Sequence, residues 1–282
     1  MDSVLITGVS TGIGFDAALK VADRGYHVFG SVRREDDARP LVDKLGSRFT
    51  PLLFDVTDAD ALAAAVDKVS AAIGSANLAA LVNNAGFTVT GPLAHMPIGE
   101  LEQQFAVNVF GVVRVTQAFL PLLGMDRRGE KKAGRIINIS STTGRITPPF
   151  LGAYAASKHA LESLSDAFRR ELFIYGIKVI VIEPGVINTP IWDKKEDVSA
   201  YADTDYGPYH ERFLQWASNP NRPGLSVGKV SDVICTALVA VEPKTRYALL
   251  PGGLKGRIKK WWLPRILSDR WLDRVLQRTW GR

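Results

Sequence analysis

Three polar residues in the middle of the chain have types and spacing that suit proton transfer. Tyr154 and Lys158 stand four residues apart at the start of an amphipathic helix, and Ser141 precedes the tyrosine by thirteen residues. Residues four apart share one face of a helix, so the lysine ammonium lies beside the phenol. A nearby cation favours phenolate and is predicted to lower the tyrosine pKa from about 10. Tyr154 then becomes a proton donor and acceptor near neutral pH.

Other polar residues follow predicted strands or interrupt a predicted helix. Ser141 ends the strand IINIS, and the segment NNAG at 83–86 ends another strand. Asn108 lies in an apolar helix, LEQQFAVNVFGVVRVTQAFLPLL, where a buried amide needs a hydrogen-bond partner. The carboxyl ends of parallel strands meet at one edge of a sheet. We therefore expect these side chains to converge there.

A glycine-rich loop, TGVSTGIG at 7–14, separates the first predicted strand from the first helix. Gly8, Gly12 and Gly14 allow a tight turn, close approach of the backbone to a pyrophosphate, and close packing of the helix. The positive end of the helix dipole favours the phosphate charge. This context indicates a dinucleotide site, although such a loop can also be an ordinary turn.

The end of the second strand selects the dinucleotide. An acidic residue there binds the ribose hydroxyls of NAD(H), whereas arginine pairs with a 2'-phosphate. The chain reads GSVRRED, with Val32 where the carboxylate would stand and Arg33 and Arg34 after it. We predict NADP(H) rather than NAD(H), the alternative being two solvated arginines. Asp55, at the end of the third strand, is expected either to bind the adenine amino group or to cap a helix.

These residues need a fold that alternates strands and helices. Seven apolar runs alternate with helical segments: VLITGVS, YHVFGSV, FTPLLFDV, LAALVNNAG, RIINISS, KVIVIEPG and RYALLPGG. Strands this apolar are covered on both faces, which predicts a parallel sheet between helices. With 282 residues and 46% hydrophobic content, we expect one α/β domain, 1–282, with a doubly wound Rossmann sheet.

Two segments fall outside this alternation. Residues 191–225 form an aromatic insertion, expected either to cover the site as a lid or to pack as a small core of its own. Residues 255–282 carry nine basic and two acidic residues and include a predicted amphipathic helix after Ser268, with an apolar stripe. The tail is expected to contact an anionic membrane surface, the lid or a partner subunit. The stripe comprises Trp271, Leu272, Val275, Leu276 and Trp280.

The order of TGxxxGxG, NNAG, serine and YxxxK resembles the short-chain dehydrogenase/reductase family, over residues 4 to about 190. The resemblance implies a catalytic tetrad of Asn108, Ser141, Tyr154 and Lys158. It implies that Ser141 binds the substrate oxygen, Tyr154 transfers the proton, Lys158 orients the ribose and Asn108 holds a relay water. PGVINTP at 184–190 resembles the segment that contacts the nicotinamide amide.

The implied cofactor residues, besides Tyr154 and Lys158, lie at strand ends and in the glycine loop. They are Gly8, Ser10, Thr11, Gly12, Ile13, Gly14, Arg33, Arg34, Asp55, Val56, Asn84, Ala85, Gly86, Pro184, Gly185, Ile187 and Thr189. Thr142 and Trp192 are the candidate substrate contacts. No metal site is expected, because the histidines His27, His95, His159 and His210 lack ligand spacing.

Segments including INTPIW and KTRYALLPG resemble the retinol dehydrogenase and 17β-hydroxysteroid dehydrogenase-like branch. This implies a lipophilic alcohol interconverted with its ketone or aldehyde, and a homodimer or homotetramer. We expect a cytoplasmic protein, with peripheral membrane contact through the tail as one alternative and no nucleic-acid partner. The rival functions are reduction of 3-oxoacyl groups on acyl carrier protein, and dinucleotide sensing without catalysis.

Overall fold

The computed structural model describes residues 1–126, 132–187, 198–219, 222–252 and 267–280. Within these ranges the strands form one parallel sheet of seven, in the order β3-β2-β1-β4-β5-β6-β7. The predicted doubly wound sheet is therefore confirmed. The order reverses between β1 and β4, which opens a crevice at their carboxyl ends. The strands are β1 Ser3–Ile6, β2 His27–Val32, β3 Phe49–Leu53, β4 Ala80–Asn83, β5 Arg135–Ile139, β6 Lys178–Pro184 and β7 Arg246–Leu249.

Helices follow the strands and cover both faces of the sheet. Side chains alternate across β1: Val4 and Ile6 join a core with α1 and α8, whereas Leu5 joins a core with α3 and α5. The two cores explain why the strands are apolar throughout. The helices are α1 Gly12–Asp23, α2 Arg39–Leu45, α3 Ala59–Ile73, α4 Ile98–Phe105, α5 Val112–Phe119, α6 Gly152–Glu171, α7 Gly207–Ser218, α8 Val227–Val239 and α9 Asp269–Trp280.

The predicted long helix around Asn108 is not continuous. The α4 and α5 helices are joined by a π-helical turn, Ala106–Gly111, and a 3₁₀ turn, Pro121–Leu123, follows α5. A π turn accommodates one extra residue and redirects the side chains around it, often at functional sites. The prediction of one regular helix was wrong here, because apolar periodicity alone does not reveal an inserted residue.

The insertion leaves the sheet and returns to it at neighbouring points. The Leu225 amide donates to the Val186 carbonyl over 2.9 Å, and Leu225 forms an isolated bridge with Ile187. Between these points the structure describes a 3₁₀ turn at Val198–Tyr201 and the helix α7. The chain therefore returns to the end of β6 after α7.

The predicted tail helix is present as α9 and begins directly after Ser268. The Ser268 carbonyl accepts bonds from the amides of Trp271 and Leu272, at 2.9 and 3.1 Å, and the Trp271 side chain is exposed. The predicted stripe residues Val275, Leu276 and Trp280, and residues 255–266 of the tail, lie outside the described residues or side chains. In the described part of the chain, none of the helices is long and apolar enough to cross a membrane.

Candidate active site

The glycine loop is closed tightly against the NNAG segment. Gly8 has a left-handed φ of +69°, and a Cβ added there would lie 2.9 Å from the Cα of Ala85. The Asn84 amide donates to the carbonyls of Thr7 and Gly8, both at 2.9 Å. A Cβ on Gly14 would lie 2.2 Å from the Gly8 carbonyl oxygen. Glycine is thus required both for the turn and for packing α1 against it.

A cavity of about 830 Å³ opens above this loop at the carboxyl edge of the sheet. Gly8, Gly12 and Ile13 line this cavity at the amino end of α1, so the loop fits a dinucleotide pyrophosphate. The cavity brings together most of the predicted site residues, from six separate strand ends. Its walls include Gly8, Ser10, Thr11, Gly12, Ile13, Arg33, Asp55, Val56, Asn84, Ala85, Gly86, Ser141, Thr142, Tyr154, Lys158, Pro184, Gly185 and Ile187.

The structure does not place every predicted residue on these walls. Gly14 is buried behind the loop, and Arg34 and Asn108 do not line the cavity within the described residues. Thr189 and Trp192 lie outside the described residues. Sequence reasoning missed five lining residues on α4, the π turn and the segment before α6. They are Gln103, Ala106, Val107, Pro148 and Leu151; the spacing of the first three along one helix face was a usable signal.

The two adjacent arginines have different surroundings. The Val32 side chain is buried, and Arg33 lines the cavity. Arg34 instead donates to the Asp37 carboxylate from Nε at 3.2 Å and from Nη2 at 2.8 Å. This pair raises the pKa of Arg34 and lowers that of Asp37. Arg33 is therefore the better placed of the two to meet a phosphate.

Asp55 is held by its own turn. Its carboxylate accepts from the Thr57 amide at 2.9 Å and from the Thr57 hydroxyl at 2.7 Å. The alternative that Asp55 caps the following helix is wrong: Asp58 caps α3 by accepting from the amides of Asp60 and Ala61, both at 3.0 Å. The Asx turn fixes the Asp55 carboxylate at the cavity wall.

Ser141, Tyr154 and Lys158 converge at the centre of the cavity. The Ser141 hydroxyl accepts from the Thr143 amide at 3.1 Å, donates to the Pro184 carbonyl at 3.4 Å and lies beside the Tyr154 phenol. The Lys158 ammonium donates to the Ile139 carbonyl at 2.9 Å and lies 5.6 Å from the centre of the Tyr154 ring. A hydroxyl, a phenol and an ammonium thus face the same space.

The prediction that Lys158 lowers the tyrosine pKa is wrong for this arrangement. Burial raises the pKa of Tyr154 to about 12, and the Ser141 hydrogen bond opposes that change only in part. Burial also lowers the pKa of Lys158 to about 8, opposed by the charge of Glu162. Both shifts have one cause, because removal from water disfavours the charged form of each group.

Asn108 holds three segments together. Its amide group accepts from the Phe87 amide at 3.2 Å, and donates to the Phe87 carbonyl at 3.0 Å and to the Ser157 hydroxyl at 3.3 Å. Ser157 in turn donates to the Tyr154 carbonyl at 2.7 Å. The expected bonding of this buried amide is present. It ties the π turn to the NNAG strand end and to the first turn of α6.

Aromatic side chains of the insertion divide between the cavity and a small core. Trp216 lines the cavity, whereas Phe213 is fully buried with Leu151. Tyr201 is also buried, and Tyr206 and Tyr209 are exposed. The insertion therefore does both things that the sequence left open. Trp216 contributes to the cavity wall, and Phe213 belongs to a small separate core.

No group of three metal-ligating side chains is present in the described ranges. His210 is buried next to Tyr201 and Phe213, and its Nε2 lies 3.2 Å from the Thr90 hydroxyl. Burial lowers its pKa. His210 is therefore one of the buried side chains through which α7 packs on the rest of the protein.

The model of the short chain dehydrogenase family matches residues 2–199. NADPH-dependent 3-dehydrocapnine reductase from Ornithobacterium rhinotracheale is 42% identical over 99% of this chain and 97% of its own. 17-beta-hydroxysteroid dehydrogenase type 6 from Bos taurus is 32% identical over 99% of this chain and 89% of its own. The latter confirms the resemblance to that branch.

A solved structure of a short-chain dehydrogenase from Streptomyces avermitilis is 30% identical. It superposes with a TM-score of 0.78, covering 97% of each chain. The fold, the arrangement of motifs at the sheet edge and the matched family model agree, and this chain belongs to the short-chain dehydrogenase/reductase family.

Proposed function

We propose that this protein is an NADP(H)-dependent oxidoreductase that interconverts a lipophilic alcohol and its ketone or aldehyde. The observation that carries the proposal is the shared cavity, in which Ser141, Tyr154 and Lys158 face the glycine loop and Arg33. The similar reductase named for 3-dehydrocapnine is NADPH-dependent, which supports the same cofactor here. A carbonyl reductase built on this site needs one hydride and one proton per turnover.

The residues present fit NADP(H). The glycine loop and the amino end of α1 would hold the pyrophosphate, Arg33 the 2'-phosphate, and Asp55 the adenine. Pro184, Gly185 and Ile187 would border the nicotinamide. When bound, the cofactor supplies or accepts the hydride. Arg34 is less suited to bind the 2'-phosphate, because Asp37 already binds its guanidinium.

The chain itself manages the oxygen and its proton. In the reducing direction the Ser141 hydroxyl donates to the substrate carbonyl and polarises it, while Tyr154 transfers its phenolic proton to the forming alkoxide. Burial keeps Tyr154 protonated in the free protein, so it begins as the acid. The Lys158 ammonium stabilises the phenolate that remains, and Asn108 fixes the start of α6 on which both residues stand.

We assign the apolar side chains of the cavity wall to the substrate. Trp216 and Leu151 line the cavity, as does Thr142, and Phe213, on the same helix α7 as Trp216, packs against Leu151. Such walls favour a bulky apolar group next to the reacting carbon. Steroid, retinoid and long-chain oxo compounds share this property, and 3-dehydrocapnine belongs in the same panel because of the similar reductase.

A homodimer or homotetramer is part of this proposal. Phe110 in the π turn and Phe173 and Ile174 after α6 expose large apolar side chains. These helices are the surfaces that the family resemblance assigns to subunit contact. Light scattering after size exclusion measures the state directly, and a monomer at micromolar concentration would contradict this part.

The first experiment follows absorbance of reduced nicotinamide while purified protein meets NADPH or NADH and a panel of ketones and aldehydes. Wild type should reduce a lipophilic carbonyl with NADPH, and Tyr154→Phe should lose at least about a hundredfold in kcat, because the proton donor is removed. Tyr26→Phe is the matched control, since Tyr26 precedes β2 at the opposite edge of the sheet. Full turnover by Tyr154→Phe would refute the mechanism.

A further inference from the structure

A buried group of charged residues lies beneath the catalytic helix. Glu162 stands one turn after Lys158 on α6, and Glu183 lies on β6. Arg145 connects them: its Nη2 donates to Glu162 Oε2 at 2.8 Å and its Nε to Glu183 Oε1 at 3.1 Å. Of the described residues that line the cavity, none belongs to this group. Their role is therefore separate from contact with substrate or cofactor.

A second guanidinium, that of Arg246 on β7, also contacts both carboxylates. Arg246 Nε donates to Glu162 Oε2 at 3.0 Å and lies 3.6 Å from Glu183 Oε1. Its Nη2 donates to Asp166 at 2.8 Å. The side chains of Glu162 and Glu183 are only 4% and 0% exposed. Two buried carboxylates thus share the same two arginines.

Each buried carboxylate keeps one oxygen without a partner. Glu162 Oε1 and Glu183 Oε2 are fully enclosed and receive no hydrogen bond within the described part of the chain. An enclosed carboxylate oxygen without a hydrogen bond is costly, and a proton on one of two neighbouring carboxyls relieves that cost. Burial, followed by the charge of Glu162, raises the pKa of Glu183 to about 7.

The group is packed directly against the catalytic segment. A Cβ on Gly144, three residues after Ser141, would lie 3.1 Å from both Glu162 Cγ and the Lys158 carbonyl oxygen. The charge of Glu162 acts on Lys158 and opposes the effect of burial on that ammonium. The other facing charges are Arg145, Arg246 and Asp166; Arg169 and Arg170 reach only Asp166.

We propose that the proton of this buried carboxyl pair resides on Glu183, and that Glu162 is a positioning residue whose charge keeps the Lys158 ammonium protonated. When the pH rises, Glu183 releases its proton to water. The charge of Glu162 extends the pH range over which the Lys158 ammonium persists. Its catalytic consequence rests on the proposed function, whereas the proton on Glu183 does not.

Stability of the cofactor-free protein tests the proton on Glu183. A carboxyl whose pKa is raised on folding, from 4.5 to about 7, stabilises the folded state fully below the lower value and loses that contribution as pH rises to the upper one. Wild type should lose unfolding free energy across this window. Glu183→Gln should remove that loss, and Asp166→Asn, the matched control on Arg246, should retain it.

The pH dependence of kcat/KM for NADPH tests the effect on Lys158. Glu162→Gln should move the alkaline midpoint lower by about one pH unit, because the ammonium loses its nearby negative charge. Asp166→Asn should leave the midpoint in place. A structural role alone would lower activity or stability without moving this midpoint.

Carboxyl-carbon NMR of the wild-type protein keeps the test independent of how the variants fold. A glutamate titrating near pH 7 supports the pair, whereas titration of every glutamate below about pH 6 overturns it. An unchanged midpoint in Glu162→Gln overturns the action on Lys158. If wild type reduces no carbonyl with NADPH, the proposed function fails. The NMR and stability measurements still show whether Glu183 holds the proton.

Discussion

Arg33 and Arg34 differ in what already binds them. Arg34 is held by Asp37, its partner three residues away, whereas Arg33 lines the cavity. We predict that Arg33→Ala weakens NADPH binding by about tenfold or more, because a charge-assisted bond to a phosphate is lost. NADH binding should change little. Arg34→Ala is the matched control and should have the smaller effect; titration calorimetry measures both. An equal loss of affinity for NADPH and NADH would contradict the role of Arg33 in recognising the 2'-phosphate.

Lys158 and Tyr154 titrate in the order opposite to that of free side chains. Because burial lowers the pKa of Lys158 to about 8 and raises that of Tyr154 to about 12, the lysine loses its proton first. We predict that kcat/KM for NADPH, which reports the free enzyme, falls as pH rises through about 8. The acid form of Tyr154 persists throughout this range. A profile that stays flat to about pH 10 would instead indicate a fully charged Lys158.

At the scale of elements, a substitution in the glycine loop measures how much its close packing contributes to stability and to NADPH binding. Gly8 and Gly25 both have left-handed φ, +69° and +87°, but only Gly8 has backbone within 4 Å of an added Cβ. Alanine at either position should cost about 1–2 kcal/mol in unfolding free energy from backbone strain. Gly8→Ala should cost more and weaken NADPH binding, because Ala85 must move. Denaturant unfolding and NADPH titration of both variants measure this. Equal NADPH affinity would place the cofactor elsewhere.

The π turn determines the direction of the Asn108 side chain. Asn108 reaches Phe87 and Ser157 because the extra residue rotates its amide out of the regular helical position. Gly111 in the same turn lies where a Cβ would be 2.6 Å from the Val56 side chain. The turn is therefore packed from both sides, which keeps the first turn of α6 in register with the NNAG segment.

At the scale of the whole molecule, the cavity joins strand ends from both halves of the sheet. A ligand bound there contacts both halves only in the folded protein, so its binding free energy adds to stability. We predict that NADPH at about a hundred times its Kd raises the unfolding free energy by about 2.7 kcal/mol. NADH at the same concentration should raise it less. A thermal shift series measures both, and an equal shift with the two cofactors would argue against NADP(H) selectivity.

Much of the site was predictable because parallel strands end at one edge. Once the seven apolar runs were assigned to a parallel sheet, the residues after each run had to meet, whatever their separation along the chain. This reasoning placed the glycine loop, Asp55, the NNAG segment, Ser141 and 184–187 at one cavity. Local spacing on a helix added Tyr154 and Lys158.

Contacts that depend on side-chain direction and on dehydration were decided by the tertiary structure. Asn108 in the π turn bonds to Phe87 and Ser157 from other segments, and the raised pKa of Tyr154 depends on its burial. Glu162 and Glu183 meet through Arg145 and Arg246 from four separate segments of the chain. The sequence by itself determined the fold and predicted most of the residues that meet at the cavity, because periodicity and strand ends are properties of the chain. Burial and long-range pairing, which set the charge of those residues, exist only in the folded molecule.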